Sequence, residues 1–396
     1  MTPLKLAFLA THPIQYHAPL YRELARRHGI DLTVYFCHRP TPEEQGDGFG
    51  VAFQWDLDLL SGYRHHFLRN VSPHPTIGFS GYDTPEIGEV IRREKFDWFI
   101  VQGWDKKSCW QAFRACRATG TKLGVRSDSP LSVGGRTTGQ RLKELMKRAL
   151  YPLFMGRFDL CLPYGELSAD YFRRYGAKRI VISPHFVDNQ YFYRGAEAWK
   201  PHKDDLRRRW GIPDHALCFL FCGKFQGKKH PLDILKALRH LLLARSDTPV
   251  TEPVHVLMVG DGELREECQQ FSRDHNLPVT FAGFLNQGEI VKGYVAADCL
   301  VLASDSGETW GLVVNEAMAC GLPALVSTSC GCTPDLIMEG ETGYSFPCGD
   351  VELLAGCMHR LLLDRELLRH MGEGARRHIG SFTTDRAADR LLEAMG

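Results

Sequence analysis

No apolar run in this chain of 396 residues approaches the ~20 needed to cross a bilayer, so no membrane-spanning helix is expected. Residues 1–30 mix charge, histidine and proline, and read as neither a signal peptide nor an anchor. Charge of one sign is not in excess either. Lys and Arg number 48 against 47 Asp and Glu, and a nearly balanced total gives no argument for a polyanionic partner such as nucleic acid. Low-complexity tracts and short-period repeats are missing, which argues against a disordered tail or a solenoid.

The thirteen cysteines do not form a metal-ligand pattern. The pair Cys330 and Cys332, with Cys320 nearby, has no matching second pair, so no metal site is expected. Several thiols fall inside apolar runs, as in Leu217-Cys218-Phe219-Leu220-Phe221-Cys222, a placement that suits reduced, buried cysteines in a cytoplasmic protein. Glycine is missing where a nucleotide-binding turn would need it. After the first strand the chain reads LATHPIQYHAPLYRELARRHG, residues 9–29, with His12 and His17 in the turn and no glycine before Gly29. Without glycine the backbone cannot approach a phosphate closely there.

What is present is an alternation of short apolar runs with amphipathic stretches, the pattern of parallel sheets covered by helices on both faces. Hydrophobic residues make up 44% of the chain and charged residues 24%, an ordinary globular balance. The length suggests more than one core. Strands are expected at 4–10, 32–36, 98–102, 122–126, 160–163 and 180–183, and a second series at 217–222, 254–259, 279–282, 299–303 and 324–327. The stretch 194–213 is polar and without strand character, and reads as a hinge region. The expected fold is α/β, with two Rossmann-like doubly wound domains: residues 1–195, residues 196–380, and a final helical segment, 381–396.

The most informative stretch is Ser306-Gly307-Glu308-Thr309-Trp310-Gly311-Leu312-Val313-Val314-Asn315-Glu316, which follows a buried strand. Glu308 falls in the strand-to-helix loop, and Glu316 inside a helix expected near 311–320. The amides of Thr309, Trp310, Gly311 and Leu312 stand at the helix start, where backbone N–H groups lack intrahelical partners and attract anions. Carboxylates grip hydroxyls and such amides grip phosphate; together they are the parts needed to hold a sugar nucleotide.

A second cluster, Gly223-Lys224-Phe225-Gln226-Gly227-Lys228-Lys229, has the wrong spacing for a phosphate loop. It still places Lys224 and Lys229 where both reach one diphosphate, each charge-assisted contact being worth ~1.5–3 kcal/mol. In the first half, the polar residues His12, His17, Trp104, Asp105, Arg126 and Asp128 stand at carboxyl ends of strands, where open α/β sheets hold ligands. Residues 136–157 combine six basic side chains with Leu142, Leu145, Met146, Leu150, Leu153, Phe154 and Met155. This stretch is a candidate for resting on an anionic membrane surface, or a surface helix packed on its sheet.

These residues resemble the family-4 retaining glycosyltransferases of the two-Rossmann GT-B type, known as glycosyl transferases group 1. Glu308 and Glu316 stand at the family's Glu-x7-Glu spacing, followed by Ala-Met-Ala-x-Gly-x-Pro, and Lys224 and Lys229 match its basic pair. Lys224 replaces the commoner arginine. The resemblance implies two domains facing across a cleft, with the final helix returning to the first domain. It assigns the donor to Gly223, Lys224, Lys229, Glu308, Thr309, Trp310, Gly311, Leu312 and Glu316. Within that set Glu308 takes the sugar hydroxyls, Glu316 the ribose, and the lysines the diphosphate.

His12 and Asp128 are the first-domain candidates for assisting catalysis, and His12, His17, Trp104, Asp105, Arg126 and Asp128 the acceptor-side set. The implied activity is metal-independent hexosyl transfer from a nucleotide sugar to a saccharide or lipid-linked glycan, without cofactor or nucleic acid. Its expected place is the cytoplasm, or the cytoplasmic face of a membrane reached through 136–157. A nucleotide-sugar epimerase or hydrolase of the same fold and a catalytically silent sugar-nucleotide-binding subunit are the alternatives.

Overall fold

The computed structural model describes residues 2–46, 52–76, 78–129, 138–244 and 252–396. Two six-stranded sheets organise the chain. The first contains β1 (Leu4–Ala10), β2 (Ile30–Phe36), β3 (Arg64–Phe67), β4 (Trp98–Gln102), β5 (Lys122–Ser127) and β6 (Leu160–Pro163), in spatial order β3-β2-β1-β4-β5-β6. The second contains β7 (Leu217–Cys222), β8 (Val254–Val259), β9 (Val279–Gly283), β10 (Cys299–Leu302), β11 (Ala324–Ser327) and β12 (Gly343–Phe346), in the equivalent order β12-β11-β10-β7-β8-β9. Every neighbouring pair is parallel. Both sheets are thus doubly wound, and in each the strand order reverses beside the first strand, between β1 and β4 and between β7 and β10. Loops at the carboxyl ends of two such strands diverge and leave a crevice.

The central strands form because both of their faces are covered. All six residues of β7 are buried, and Phe219 lies in register with Val256 of β8. Phe219, Phe221, Met258 and Val301 share a core with Leu235 and Leu238 of the helix Pro231–Ala244 and Met358 of the helix Val351–Leu363. Each such side chain, fully buried, contributes ~1.5–3 kcal/mol. In the first sheet, Ala7, Leu9, Phe99, Val101 and Val125 pack against Ala112 and Cys116 of the helix Lys107–Thr119.

Two strands that the apolar pattern does not reveal, β3 and β12, lie at sheet edges. With only one neighbour they need no continuous apolar run, and β3 reads Arg-His-His-Phe. The expected strand at 180–183 is reduced to a single bridge between Ile180 and Cys161.

The chain divides into two compact units. The first comprises Met1–Thr41, Asp58–His185 and Thr384–Gly396, and the second Pro42–Leu57 and Phe186–Thr383. The second unit therefore takes Pro42–Leu57 out of the expected 1–195 domain, and its main segment starts at Phe186 rather than at residue 196, because the helix Asn189–Trp199 is built into it. Asn189 Nδ2 donates to the carbonyls of Ile379 and Phe382 at 3.0 and 3.1 Å, and the Tyr191 hydroxyl donates to the Gln287 carbonyl at 2.8 Å.

The stretch 194–213 is likewise helical rather than a hinge. Within it the helix Lys203–Arg209 buries Arg207, which pairs with Asp298 at 2.5 Å. In the first unit, the final helix Thr384–Glu393 buries Ala387, Ala388 and Leu391, and Asp389 pairs with Arg27 at 3.0 Å.

Candidate functional site

In the second unit the loops after β7 and β10, residues 223–230 and 303–311, flank the switch point. They are stitched together by backbone: the Asp305 N–H donates to the Lys228 carbonyl at 2.9 Å. Across this seam the Lys229 ammonium is paired with Glu308 Oε2, and both side chains are only 13% exposed. Ser304 Oγ donates to the same carboxylate oxygen at 3.5 Å. The sequence assigns Lys229 and Glu308 to different tasks; the structure joins them as one ion pair. Lys224 stands half-buried in the β7 loop, immediately after Gly223.

The Glu308 loop is shaped from below by the segment carrying Cys330 and Cys332. The Gly331 N–H donates to the Glu308 carbonyl at 3.1 Å, and the Cys332 N–H to the Trp310 carbonyl at 3.0 Å. A β-carbon on Gly331 would lie 1.8 Å from the Thr309 carbonyl oxygen, so only glycine allows this approach. The thiols of Cys330 and Cys332 are buried and pushed upward by burial first, as befits packing groups rather than ligands. Among the described residues no group of three or more His, Cys, Asp or Glu is placed to hold a metal ion.

The helix Leu312–Ala319 begins after Gly311, whose φ of +104° turns the chain into it. Its first internal bond runs from the Val314 N–H to the Gly311 carbonyl. The preceding amides thus stand at a helix start, the arrangement that attracts an anion. Trp310 offers only its backbone to such a ligand, since its indole is 3% exposed and Nε1 donates to Asn315 Oδ1 at 2.9 Å. Glu316 projects from the same helix and is 3% exposed. Its Oε2 accepts a hydrogen bond from the Tyr294 hydroxyl at 2.5 Å. Burial, reinforced by the charge of Glu316, raises the neighbouring Cys222 thiol to about 12.

The first unit carries a cavity of about 570 Å³ at its own switch point. Of the six acceptor-side candidates, His17, Trp104, Asp105, Arg126 and Asp128 line it. His12 is not among the lining residues; its Nδ1 is 3.1 Å from Oγ1 of Thr11, which is.

A buried polar network forms one wall. Arg126 Nη1 donates to the Tyr164 hydroxyl at 3.1 Å, and the guanidinium lies over the Tyr164 ring at 4.2 Å. His185 stacks on that ring at 4.1 Å. The Tyr164 oxygen also lies 3.3 Å from His17 Nε2 and 3.3 Å from Gln102 Oε1. Burial first, then the charge of Arg126, lowers His17 to about 3 and holds His185 well below its ordinary value. Both imidazoles are therefore neutral at physiological pH. Asp105 pairs with Lys106 at 3.0 Å, while Trp104 stacks with Tyr171 at 5.9 Å.

Gln102, Tyr164, Tyr171 and His185 belong to this wall without having been singled out in the sequence, and Tyr294 joins the second unit's site in the same way. Gln102 closes β4, the strand before the Trp104 loop, so its place at a carboxyl end was a usable signal. Tyr164 directly follows β6 and carried the same signal; for His185 and Tyr294 only the folded contacts reveal the role.

Comparison with known proteins bears on the fold and on the second half of the chain. Residues 202–378 match the family model of the glycosyl transferases group 1. The chain is 32% identical over 255 residues to a D-inositol 3-phosphate glycosyltransferase of Streptomyces bingchenggensis, covering 61% of this chain and 54% of that protein. It is 30% identical over 241 residues to a GDP-mannose-dependent alpha-(1-6)-phosphatidylinositol dimannoside mannosyltransferase of Mycobacterium tuberculosis, covering 60% and 58%. The chain thus spans a little over half the length of these curated relatives.

Among solved structures, a glycosyltransferase from Rickettsia africae superposes with a TM-score of 0.73 at 14% identity, over 100% of this chain and 98% of that one. HepE of Anabaena, solved in complex with UDP, gives 0.71 at 16%, over 99% of each. The fold is that of the two-Rossmann GT-B glycosyltransferases, and residues 202–378 are similar to the glycosyl transferases group 1.

Proposed function

We propose that the protein is a retaining, metal-independent glycosyltransferase that moves a hexosyl unit from a nucleotide sugar to a saccharide or lipid-linked glycan. The observation that carries this reading is the grouping at the second unit's switch point. There the Lys229–Glu308 pair, the start of the helix Leu312–Ala319 and buried Glu316 combine cations, amides and carboxylates in one place. Lys224 and Lys229 would face the diphosphate, Glu308 the sugar hydroxyls and Glu316 the ribose.

Cleavage of the anomeric bond builds negative charge on the diphosphate and positive character on the sugar. Fixed cations and helix amides stabilise the first without reorganising during the reaction. In front-side transfer the bond from the anomeric carbon to the phosphate oxygen breaks and a bond to the acceptor oxygen forms. The departing phosphate oxygen takes the acceptor's proton, so no separate protein base is required. The acceptor is assigned to the first unit's cavity, with Asp128 and His12 as the candidates for orienting its hydroxyl. Neutral His17 and His185 leave that wall rich in hydrogen-bonding groups.

The reading extends to where the acceptor is met. The helices Thr138–Leu150 and Pro152–Met155 expose Leu142, Leu145, Met146, Leu150 and Leu153, beside exposed Lys143 and Arg148. Arg136 lies outside the described residues. An exposed apolar stripe edged by cations suits the cytoplasmic face of an anionic membrane. Among the described residues no helix is long and apolar enough to cross it.

The test is a proton NMR time course with α-linked UDP and GDP sugars, with and without acceptor and EDTA. Retained configuration in the first product, undiminished by EDTA and accelerated by acceptor, is expected. An inverted product, or turnover restored only by magnesium or manganese, contradicts the mechanism. Turnover indifferent to every acceptor would favour the hydrolase or epimerase reading.

A further inference from the structure

We infer that Tyr294 is the residue that positions Glu316 for the donor's ribose, an inference that rests on the ribose role proposed above. Tyr294 is fully buried and projects from the helix Gln287–Ala296, which is remote in sequence from the lysine and glutamate motifs. Its hydroxyl donates to Glu316 Oε2 at 2.5 Å, and the tyrosine oxygen lies 3.8 Å from Cys222 Sγ. Cys222 closes β7, immediately before Gly223. The hydroxyl therefore ties three elements together at the base of the site: the helix Gln287–Ala296, the end of β7 and the helix Leu312–Ala319.

A buried carboxylate must be hydrogen-bonded to remain where it is. Tyr294 meets that need for one oxygen and, in doing so, removes the freedom of the side chain to rotate. A hydrogen bond to an ionised group is among the stronger ones available to a protein. The ring is itself held in place by an edge-on contact with Phe192, centroids 6.2 Å apart. The carboxylate is thus set before the ligand arrives, and binding need not bear the cost of ordering it. Tyr294 acts through Glu316 and is a positioning residue rather than a catalytic one.

The experiment uses Tyr294→Phe, Glu316→Gln and the double variant in the full chain. Calorimetry measures UDP and GDP, each against its 2′,3′-dideoxy counterpart. For Tyr294→Phe the expected result is roughly tenfold weaker binding of the ribonucleotide, the scale of one lost charge-assisted hydrogen bond. The dideoxynucleotide should be unaffected, and KM for the donor should rise while kcat stays within about threefold. The double variant should bind no more weakly than Glu316→Gln alone, since both remove the same interaction.

Equal losses for ribo- and dideoxynucleotides, no loss at all, or additive losses in the double variant would overturn the inference. If Glu316→Gln itself fails to distinguish the two nucleotides, the ribose role of Glu316 falls. If it distinguishes them and Tyr294→Phe does not, only the positioning role falls. Tyr294→Phe keeps the ring and its contact with Phe192, and a thermal melt confirms that the variant is folded.

Discussion

Gly331→Ala tests whether the Glu308 loop, assigned to the donor in the proposed function, is held in place from beneath. The added β-carbon would sit 1.8 Å from the Thr309 oxygen, 2.5 Å from the Thr309 carbonyl carbon and 3.1 Å from Trp310 Cα. All three are backbone atoms, so no side chain can swing aside. Non-bonded heavy atoms settle at ~3.5–4.0 Å, and the two segments must therefore separate by more than about 1.5 Å. That movement breaks the Gly331 N–H bond to the Glu308 carbonyl and draws Glu308 from Lys229.

Overpacking of this kind costs ~1–3 kcal/mol of stability. Misplacing a binding group by ~1 Å costs about 10²-fold in rate. The expected variant is folded, melts a few degrees lower and loses ~10- to 100-fold in nucleotide-sugar affinity and kcat/KM. Gly356→Ala is the matched control, since its β-carbon meets nothing within 4 Å in the helix Val351–Leu363. It should be neutral or stabilising by ~0.4–1 kcal/mol. Wild-type donor affinity in folded Gly331→Ala would refute the reasoning.

Acid should destabilise the fold well above the range in which carboxylates titrate. Burial first lowers His17 to about 3, His255 to about 4, and His185 well below its ordinary value. Below pH ~6.5 the unfolded chain gains protons that the folded chain refuses. Stability present above pH 6.5 is then lost towards pH 4, at up to ~1.4 kcal/mol per pH unit for each of these histidines, less for the partly exposed His17. Urea midpoints that do not fall between pH 7 and pH 5 would contradict the neutral assignments.

On the first unit, Asp128→Ala should reduce acceptor turnover while leaving calorimetric donor affinity unchanged; the reverse pattern would move Asp128 to the donor side. For the exposed stripe, Leu145→Glu with Leu153→Glu should abolish flotation with phosphatidylglycerol vesicles. Equal flotation of the variant and the parent would remove this surface from the membrane.

Central and edge strands differ in how plainly the sequence announces them. Central strands such as β1 and β7 are covered on both faces and must be apolar throughout, which makes them visible as runs. The edge strands β3 and β12 are held by one neighbour and have no such signature. The motif residues were legible for a related reason: Lys224, Lys229, Glu308 and Glu316 stand on loops and a helix that directly follow strands, at short fixed spacings. Tyr294 and Gly331 were not. Tyr294 reaches Glu316 across 22 residues, and Gly331 matters only because the Thr309 carbonyl passes over it. The same holds for His185, whose stacking on Tyr164 brings together separate segments of the first unit.

The most direct test of the central claim is a thermal-shift and calorimetric screen of the full chain against a panel of nucleotide sugars, repeated with Glu316→Ala. Ligand at ~100 times its dissociation constant adds ~2.7 kcal/mol to stability. A clear upward shift with one donor class is predicted, together with a ~10- to 100-fold loss of that affinity in the folded variant, the scale of charge-assisted hydrogen bonds. A protein that binds no nucleotide sugar, or a Glu316→Ala variant that binds as tightly as its parent, would contradict the account.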